Sequence, residues 1–174
     1  MKTMILRERT EKDESLLEDL DQRQEVREFI GGGLTKPREK LSEKLLCEKV
    51  IETDGGVFAG IVAVFKSEAL PGYHELLCAL LPDHEGHGLA TKACRLMIDK
   101  VSYDLSVHRV IGCVDRENTS SLALINRLGG IFLKPREGIA PDQDIYVFKC
   151  ASRPKRLEAT FNSSPQPQDR KILS

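Results

Sequence analysis

This sequence lacks long apolar runs and lacks a large excess of charge of either sign. No stretch approaches the ~20 apolar residues that a helix needs to span a membrane. Residues 1–10 are charged, unlike a secretory signal peptide. The net charge of −1 gives the chain no general attraction to nucleic acid. With 174 residues, 40% of them hydrophobic, we expect a cytoplasmic monomer or homodimer that binds neither nucleic acid nor membrane.

Cysteine pairs at metal-ligand spacing are also absent. The five cysteines are odd in number and widely separated, and no Cys-x-x-Cys motif occurs. This pattern is typical of buried free thiols in a reducing cytosol. His84 and His87 stand three residues apart, one residue short of the His-Glu-x-x-His motif of zinc proteases, and no third ligand follows in register. The sequence therefore predicts no metal site.

Strand-like and helix-like apolar patterns alternate along the chain, which predicts an α+β (mixed α/β) fold. Strands are predicted at 4–7, 50–53, 57–65, 75–81, 109–114, 131–134 and 145–150. Helices are predicted at 11–21, 24–30, 37–48, 88–105 and 119–128. Residues 1–150 are expected to form a single domain. Residues 151–174 are rich in Pro, Ser, Gln and Arg and are expected to form a mobile basic tail.

A glycine-rich segment lies between the predicted strand 75–81 and the predicted helix 88–105. Its sequence is Glu85-Gly86-His87-Gly88-Leu89-Ala90. Glycine allows tight turns, and free N–H groups at a helix start attract anions, so this order is typical of a phosphate-binding loop. A P-loop needs Lys-Ser/Thr after its last glycine, and a dinucleotide fingerprint needs a third glycine where Thr91 stands. Both classes are therefore excluded.

Two motifs carry a family resemblance. Gly88 and Ala90 match the last two positions of Gln/Arg-x-x-Gly-x-Gly/Ala, the acyl-CoA loop of the GCN5-related N-acetyltransferase (GNAT) superfamily, which this segment resembles. The downstream sequence resembles the ribosomal-protein-acetylating branch of that superfamily. Its matching residues are Asp115, Asn118, Ser121 and Arg127-Leu128-Gly129.

The resemblance implies a GNAT fold, with a twisted, mostly antiparallel sheet of about seven strands and about four to five flanking helices. It implies that acetyl-CoA is the co-substrate and that the acetyl group passes directly to a primary amine. Glu75 is then the expected base, with His74 and Tyr73 as weaker alternatives, because an ammonium must lose a proton before it attacks. Ser121 is the expected acid for the leaving thiolate.

The cofactor-binding residues implied by the resemblance lie on the strand, the loop and the two following helix starts. They are Ala79, Leu80, Leu81, Glu85, Gly86, His87, Gly88, Leu89, Ala90, Thr91, Asn118 and Ser121. Ala79 is expected to offer its N–H to the thioester carbonyl, and Leu80 and Leu81 to bond the pantetheine amides. Alternation places Glu75, Leu77 and Ala79 on one face of the strand, although a bulge, which is common in this family, would change that register.

Every one of these residues also has an ordinary explanation. Glu75 suits a solvated strand start, and Asn118 and Ser121 suit a helix cap. Glu85 stands where Gln or Arg is usual, and a carboxylate beside a pyrophosphate is unfavourable unless it points away or is paired. Gly130 replaces an aromatic, so the acceptor pocket is either roomier or repacked. A non-catalytic acyl-CoA-binding or interaction module on the same fold therefore stays open.

The charge pattern near the start of the chain bears on the acceptor. Residues 8–28 carry nine acidic and four basic side chains. In the family the first two helices wall the acceptor site, so we expect a cationic acceptor such as a polyamine, an aminoglycoside or a basic peptide N-terminus. A solvated helix face is the alternative. The sequence does not choose between small-molecule and protein amines.

Overall fold

The computed structural model describes residues 3–23, 43–136 and 142–150. Its strands are β1 Met4–Arg7, β2 Leu45–Thr53, β3 Val57–Lys66, β4 His74–Leu80, β5 Val110–Asp115, β6 Ile131–Pro135 and β7 Gln143–Phe148. Its α-helices are α1 Glu14–Gln22, α2 Leu89–Asp104 and α3 Thr119–Leu128. Short 3₁₀ turns at Glu11–Asp13 and Pro82–His84 precede α1 and the glycine loop.

The strands form one sheet in the order β1-β2-β3-β4-β5-β7-β6. Neighbouring strands are antiparallel, except for the parallel pair β4 and β5. The predicted mixed α/β fold with a mostly antiparallel sheet is therefore confirmed. In the described ranges three α-helices flank the sheet.

A wedge-shaped opening divides the middle of the sheet. β4 and β5 pair only where His74 meets Val110 and Glu75 meets Ile111. Beyond these pairs β4 stays with β3 as far as Leu80, and β5 stays with β7 as far as Asp115. The two strands therefore separate toward their C-terminal ends. We call the opening between residues 76–80 and 112–115 the β4–β5 gap.

Helices cover both faces of the sheet with apolar side chains. On the face that we call the α2 face, Met97 and Val101 belong to a core that also includes residues of α3 and β3. On the opposite α1 face, Leu17 and Leu20 pack in a cluster with Ala79. Burial of each such side chain contributes about 1.5–3 kcal/mol. This packing holds the helices against the sheet and defines its two faces.

Side chains of β4 alternate between these faces. Leu76, Cys78 and Leu80 pack against the α2-face core, and Leu77 and Ala79 pack against the α1-face cluster. The register with β3 runs through β4 without a bulge. Glu75 therefore shares the α1 face with Leu77 and Ala79, as the alternation predicted.

The predicted helix 37–48 is wrong where the structure describes it, because β2 begins at Leu45. Leucines at 41, 45 and 46 have helical spacing, but pairing of β2 with β3 outweighs that local periodicity. The predicted strand 50–53 is only the end of β2. The predicted helix 11–21 starts as the 3₁₀ turn and continues as α1. The predicted helix 24–30, residues 37–42 and the tail 151–174 lie outside the described residues.

Other local predictions agree with the structure. The Asp54-Gly55-Gly56 hairpin joins β2 to β3, with positive φ values of 79° and 77° at the two glycines. Helix α3 spans the residues predicted for it, and α2 begins one residue later than predicted. Within the ranges that the structure describes, no helix is long and apolar enough to cross a membrane.

Candidate active site

Backbone groups of β4 line one side of the β4–β5 gap. In an antiparallel pair, successive residues direct their N–H and C=O groups alternately toward and away from the partner strand. The His74 N–H donates to the Arg109 carbonyl at 2.8 Å, on the β5 side, and the Leu81 N–H donates to the Ala59 carbonyl at 2.8 Å, on the β3 side. Because no bulge intervenes, the backbone groups of Cys78 and Leu80 face the gap, where no strand pairs with them.

This register changes the expected donors. The Leu81 N–H already bonds to Ala59, and the Leu81 carbonyl accepts from the His84 N–H at 2.9 Å. Alternation directs the Ala79 N–H toward β3 as well. Of the three residues expected to offer backbone groups, only Leu80 faces the gap. Cys78, which sequence reasoning did not select, presents the other N–H.

The glycine loop ends at the start of α2. Gly86 has a φ of 73° and Gly88, the N-cap residue of α2, has a φ of 76°. No side chain caps this helix, and the Lys92 N–H is the first to bond back into it, to the Gly88 carbonyl at 3.1 Å. The N–H groups of the first turn therefore have no partner within the helix. They present a partial positive charge at the mouth of the gap.

The loop side chains contribute little to the loop's own structure. Glu85, Gly86 and His87 are exposed. Within the described residues Glu85 forms no ion pair, so neither His84 nor His87 neutralises it. Leu89 is buried in the α2-face core, and its backbone alone is available at the helix start.

Arg127 adds a positive charge that sequence reasoning did not assign to the site. Its Nε donates to the Thr91 hydroxyl of α2 at 3.2 Å. The Arg127 carbonyl in turn accepts from Arg95 Nη2 at 2.8 Å. The last turn of α3 therefore lies beside the first turn of α2. No short-range pattern could reveal this, because residues 91 and 127 meet only through helix packing.

Asn118 and Ser121 stand where α3 follows β5. Asn118 is the N-cap residue, and its Oδ1 accepts from the Ser121 N–H at 2.9 Å. The ordinary capping function considered for Asn118 is therefore present. The Ser121 hydroxyl is half-buried and makes no hydrogen bond to the described residues. It remains available as a donor on the α3 side of the gap.

Glu75 lies at the closed end of the gap, on the opposite face of the sheet from α3. Its side chain is 9% exposed. Oε2 accepts from the Ser67 hydroxyl at 3.2 Å, and Oε1 accepts from Arg136 Nη1 at 3.3 Å. The Cys113 thiol of β5 lies near this carboxylate, whose negative charge helps to raise the pKa of the thiol after the larger effect of burial. Glu75 is thus a buried, ion-paired carboxylate rather than a solvated strand start.

The alternative bases are placed less favourably. His74 alternates with Glu75 and faces α2, and burial, with a further effect of Lys66, holds its pKa below the ordinary value. Tyr73 precedes β4, and its ring lies under the Arg109 guanidinium, whose carbon is 5.6 Å from the ring centre.

Gly130 leaves no space for the aromatic that the branch usually carries. A Cβ there would lie 2.6 Å from Ile125 Cγ2 and 3.1 Å from a ring carbon of Phe148. Phe148 of β7 occupies this region instead, and it also lies against Gly112. The substitution is therefore a repacking of the α2 face, not an enlarged acceptor pocket.

The described parts of the chain contain no cluster of potential metal ligands, because no group of three or more His, Cys, Asp or Glu side chains converges there. The five cysteines are all free, with Cys94 buried and the others half-buried.

A family model for the acetyltransferase (GNAT) domain matches residues 3–131. The chain belongs to the GNAT family. The spermidine N(1)-acetyltransferase of Escherichia coli K12 is 30% identical over 80 residues, as is that of Escherichia coli O157:H7. The match covers 46% of this chain and 42% of each relative, so the chain spans less than half the length of these curated relatives.

Solved structures of several acetyltransferases share the fold. An acetyltransferase from Agrobacterium tumefaciens superposes with a TM-score of 0.70 at 21% identity, covering 85% of this chain and 94% of that one. Spermidine N-acetyltransferase from Vibrio cholerae, in complex with CoA and spermine, gives 0.65 at 17% identity, with coverages of 83% and 92%. Aminoglycoside acetyltransferase AAC(6')-Ib in complex with coenzyme A gives 0.67 at 17% identity, with coverages of 85% and 95%.

Proposed function

We propose that this GNAT domain is an acetyl-CoA-dependent N-acetyltransferase that acetylates a primary amine by direct attack. The observation that carries the proposal is the β4–β5 gap with the glycine loop at its mouth. An extended pantetheine arm can complete the interrupted hydrogen bonding of β4, as an added strand does at a sheet edge. A pyrophosphate at the same mouth meets the free N–H groups of α2.

The residues that would hold acetyl-CoA fit it chemically. Leu80 would bond the pantetheine amides, and the helix start at Gly88, Leu89, Ala90 and Thr91 would bond phosphate oxygens through N–H groups. Arg127 would add a charge-assisted contact near Thr91. Glu85 does not oppose this strongly, because its exposed carboxylate is screened by solvent.

The groups around the gap divide the chemistry between them. Acetyl-CoA supplies an acetyl group activated as a thioester. The Cys78 N–H replaces Ala79 as the proposed donor to the thioester oxygen, on which negative charge develops during attack. Glu75 accepts the amine proton from the α1 face, directly or through water. Ser121 donates to the leaving sulfur from the α3 side.

We propose a cationic acceptor. Glu11, Glu18 and Asp19 are exposed on and beside α1, which covers the face that Glu75 occupies. The matched relatives named as spermidine acetyltransferases, and the structure that holds spermine, support a polyamine. The similarity to the aminoglycoside acetyltransferase also supports a cationic acceptor. Membership of the ribosomal-protein-acetylating branch, and therefore a protein amine, stays the less supported prediction.

The test is release of CoA from acetyl-CoA in the presence of a panel of amines. Spermidine, kanamycin, a basic peptide and a neutral amine of similar size separate the acceptor classes. We expect turnover with the cationic amines and a loss of that preference at high salt. Equal turnover of neutral and cationic amines would contradict the acceptor proposal. Acetyl-CoA binding without turnover of any amine would favour the non-catalytic module.

A further inference from the structure

A buried polar cluster surrounds Glu75, and the reaction as proposed above uses only one of its members. Two hydrogen-bond donors, Ser67 and Arg136, hold the carboxylate, and the Cys113 thiol lies close enough to respond to its charge. Ser67 lies in the β3–β4 connection, Cys113 lies on β5, and Arg136 directly follows β6. Ser67 and Arg136, at the two ends of the cluster, are 69 positions apart in the sequence. Only the sheet order brings them together.

Ser67 holds one carboxylate oxygen in a defined direction. Its Oγ accepts from the Ala69 N–H at 3.1 Å and from the Leu70 N–H at 3.2 Å. With both of its acceptor directions occupied, the hydroxyl proton is free to point only toward Glu75 Oε2, 3.2 Å away. The backbone of the connection therefore fixes the orientation of the hydroxyl, and the hydroxyl fixes Oε2.

Arg136 holds the other oxygen and is itself fixed by β7. Its backbone N–H donates to the Gln143 carbonyl at 2.8 Å, which extends the β6–β7 pairing by one residue. Its Nη1 donates both to Glu75 Oε1 at 3.3 Å and to Gln143 Oε1 at 2.9 Å. The Arg136 side chain is 16% exposed. Arg136 is thus anchored through main chain and side chain to the same residue.

The charge of this cluster is balanced. A buried carboxylate without a partner is strongly disfavoured, and the adjacent guanidinium offsets that cost. The Cys113 thiol reports the local field, because burial raises its pKa, the negative charge of Glu75 raises it further, and Arg136 opposes that rise. Among the described residues, Cys113 of β5 and Arg136, which follows β6, are the titratable or charged groups that face Glu75.

We propose that Arg136 is a positioning residue that, with Ser67, orients the ionised Glu75 carboxylate toward the acceptor amine. The inference rests on the proposed acetyl transfer and on Glu75 as its base. With Oε1 and Oε2 each held by one donor, the carboxylate cannot rotate about its terminal bond. The unshared lone pairs therefore keep one direction, and the acceptor proton meets a prearranged oxygen.

The first measurement is steady-state kinetics of Arg136→Gln with spermidine. We expect kcat/KM to fall by about 10- to 100-fold, as when a reacting group is misplaced by about 1 Å. The KM for acetyl-CoA is expected to stay unchanged. Arg136→Lys keeps the charge without the planar fork and is expected to recover part of the loss.

Arg116→Gln is the matched control. Arg116, which directly follows β5, forms an ion pair at the surface with Asp144 of β7, at 2.7 Å. This variant removes the same charge from the molecule, so we expect wild-type kinetics from it. Thermal melting of all three variants checks that each is folded, and Arg136→Lys keeps the test informative if Arg136→Gln is unstable.

The second measurement does not depend on activity. Alkylation of Cys113 by iodoacetamide at alkaline pH is followed by peptide mass spectrometry, with Cys47 of β2 as the internal reference. Because the thiolate reacts, Glu75→Gln is expected to speed alkylation of Cys113 and Arg136→Gln to slow it. These opposite directions report the field within the cluster, whereas general loosening would speed both.

The outcomes separate the two proposals. Normal transfer by Arg136→Gln, or faster alkylation of Cys113 in that variant, overturns the positioning role alone. Absence of acetyl transfer by the wild-type protein overturns the proposed function and this role with it. Reduced kcat/KM together with opposite alkylation changes supports the role, and Arg116→Gln must leave both readouts unchanged.

Discussion

Single glycines show most directly how the backbone prepares a ligand site. Gly88 at the start of α2 and Gly56 in the β2–β3 hairpin have φ values of 76° and 77°. A Cβ at either position would meet nothing within 4 Å. The two positions therefore carry the same conformational demand, and only Gly88 lies at the mouth of the β4–β5 gap.

Alanine at these two positions separates folding from binding. Gly88→Ala and Gly56→Ala are each expected to lower the free energy of unfolding by about 1–2 kcal/mol, because both force a side chain into the left-handed region. Only Gly88→Ala should also reduce the rise in Tm caused by acetyl-CoA, since its methyl group lies in the approach of the phosphates. Differential scanning fluorimetry with and without acetyl-CoA measures both effects. Equal ligand shifts in the two variants would contradict this placement of the cofactor.

Asp13 is a second residue for which the structure predicts a measurable effect on stability. It is 2% exposed, and it accepts from the Thr10 N–H at 2.8 Å and from Arg7 at 2.8 Å through each of two guanidinium nitrogens. These contacts, chiefly the one to Arg7, hold the pKa of Asp13 well below its ordinary value of 3.8. Because the pKa of Asp13 is lower in the folded chain than in the unfolded chain, the ionised carboxylate stabilises the fold at pH values above its ordinary pKa. This stabilisation is lost as the pH falls through the folded-state pKa.

Asp13→Asn should therefore destabilise the protein in a pH-dependent way. At neutral pH we expect a loss of about 1.5–3 kcal/mol, typical of hydrogen bonds to a charged group. The difference from the wild-type protein should begin to shrink below about pH 4, where the Asp13 carboxylate of the unfolded chain takes up a proton while that of the folded chain is still ionised. Urea unfolding across the pH range measures it. Asp19→Asn, at an exposed position of α1, is the control, and a pH-independent difference for Asp13→Asn would contradict the ion-pair account.

At the scale of elements, β4 matters because its two edges differ. Toward β3 it is fully paired, and Gly60 brings the strands so close that a Cβ there would lie 2.1 Å from the Ala79 carbonyl oxygen. Toward β5 it is paired only at His74 and Glu75. Beyond Glu75, residues whose backbone groups bond to β3 therefore alternate with residues whose backbone groups face the gap and have no partner strand.

Hydrogen exchange should reveal this alternation. In the free protein we expect the amides of Cys78 and Leu80 to exchange faster than those of Ala79 and Leu81, which point toward β3. Bound acetyl-CoA should slow exchange at Leu80 strongly and at Cys78 to some degree, and leave Ala79 and Leu81 nearly unchanged. Residue-resolved NMR exchange measures it, with the odd-numbered amides as internal controls. Protection of Ala79 rather than Cys78 would indicate a bulged register in solution.

At the scale of the whole molecule, the sheet consists of two parts, β1-β2-β3-β4 and β5-β7-β6, which two residue pairs join across β4 and β5. Helices α2 and α3 pack across the α2 face of both parts. A ligand in the β4–β5 gap would bind both parts at once, and the phosphates would lie among the charges at the mouth. Cofactor binding should therefore stabilise the entire domain.

Acetyl-CoA at about 100 times its Kd is expected to add roughly 2.7 kcal/mol to the stability of the native state. Part of the affinity is electrostatic, so the shift in Tm at a fixed acetyl-CoA concentration should shrink as the salt concentration rises. Scanning calorimetry at several salt concentrations tests this, and dephospho-CoA separates the 3′-phosphate from the pyrophosphate. No shift at saturating acetyl-CoA would contradict the proposed cofactor.

The elements that the sequence predicted well are those whose local signals agree with their surroundings. The hairpin at Gly55 and Gly56 needs positive φ, which local chemistry alone supplies. Helix α3 has a capping Asn118 and a terminal Gly129 in the left-handed region. The leucines at 41, 45 and 46 predict a helix through their spacing, but the strand conformation of residues 45–48 depends on pairing with residues 63–65 of β3, at least 15 positions away.

The sequence by itself determined the mixed fold, the glycine loop, the start of α2 and the position of Glu75 on its strand, because each follows from local periodicity or backbone freedom. Only the tertiary structure decided which atoms face the β4–β5 gap. Without a bulge in β4, the N–H groups of Cys78 and Leu80 turn toward the gap and those of Ala79 and Leu81 turn away. It also decided that Arg127 meets Thr91 and that Arg136 meets Glu75, since such contacts depend on packing between segments that are distant in sequence.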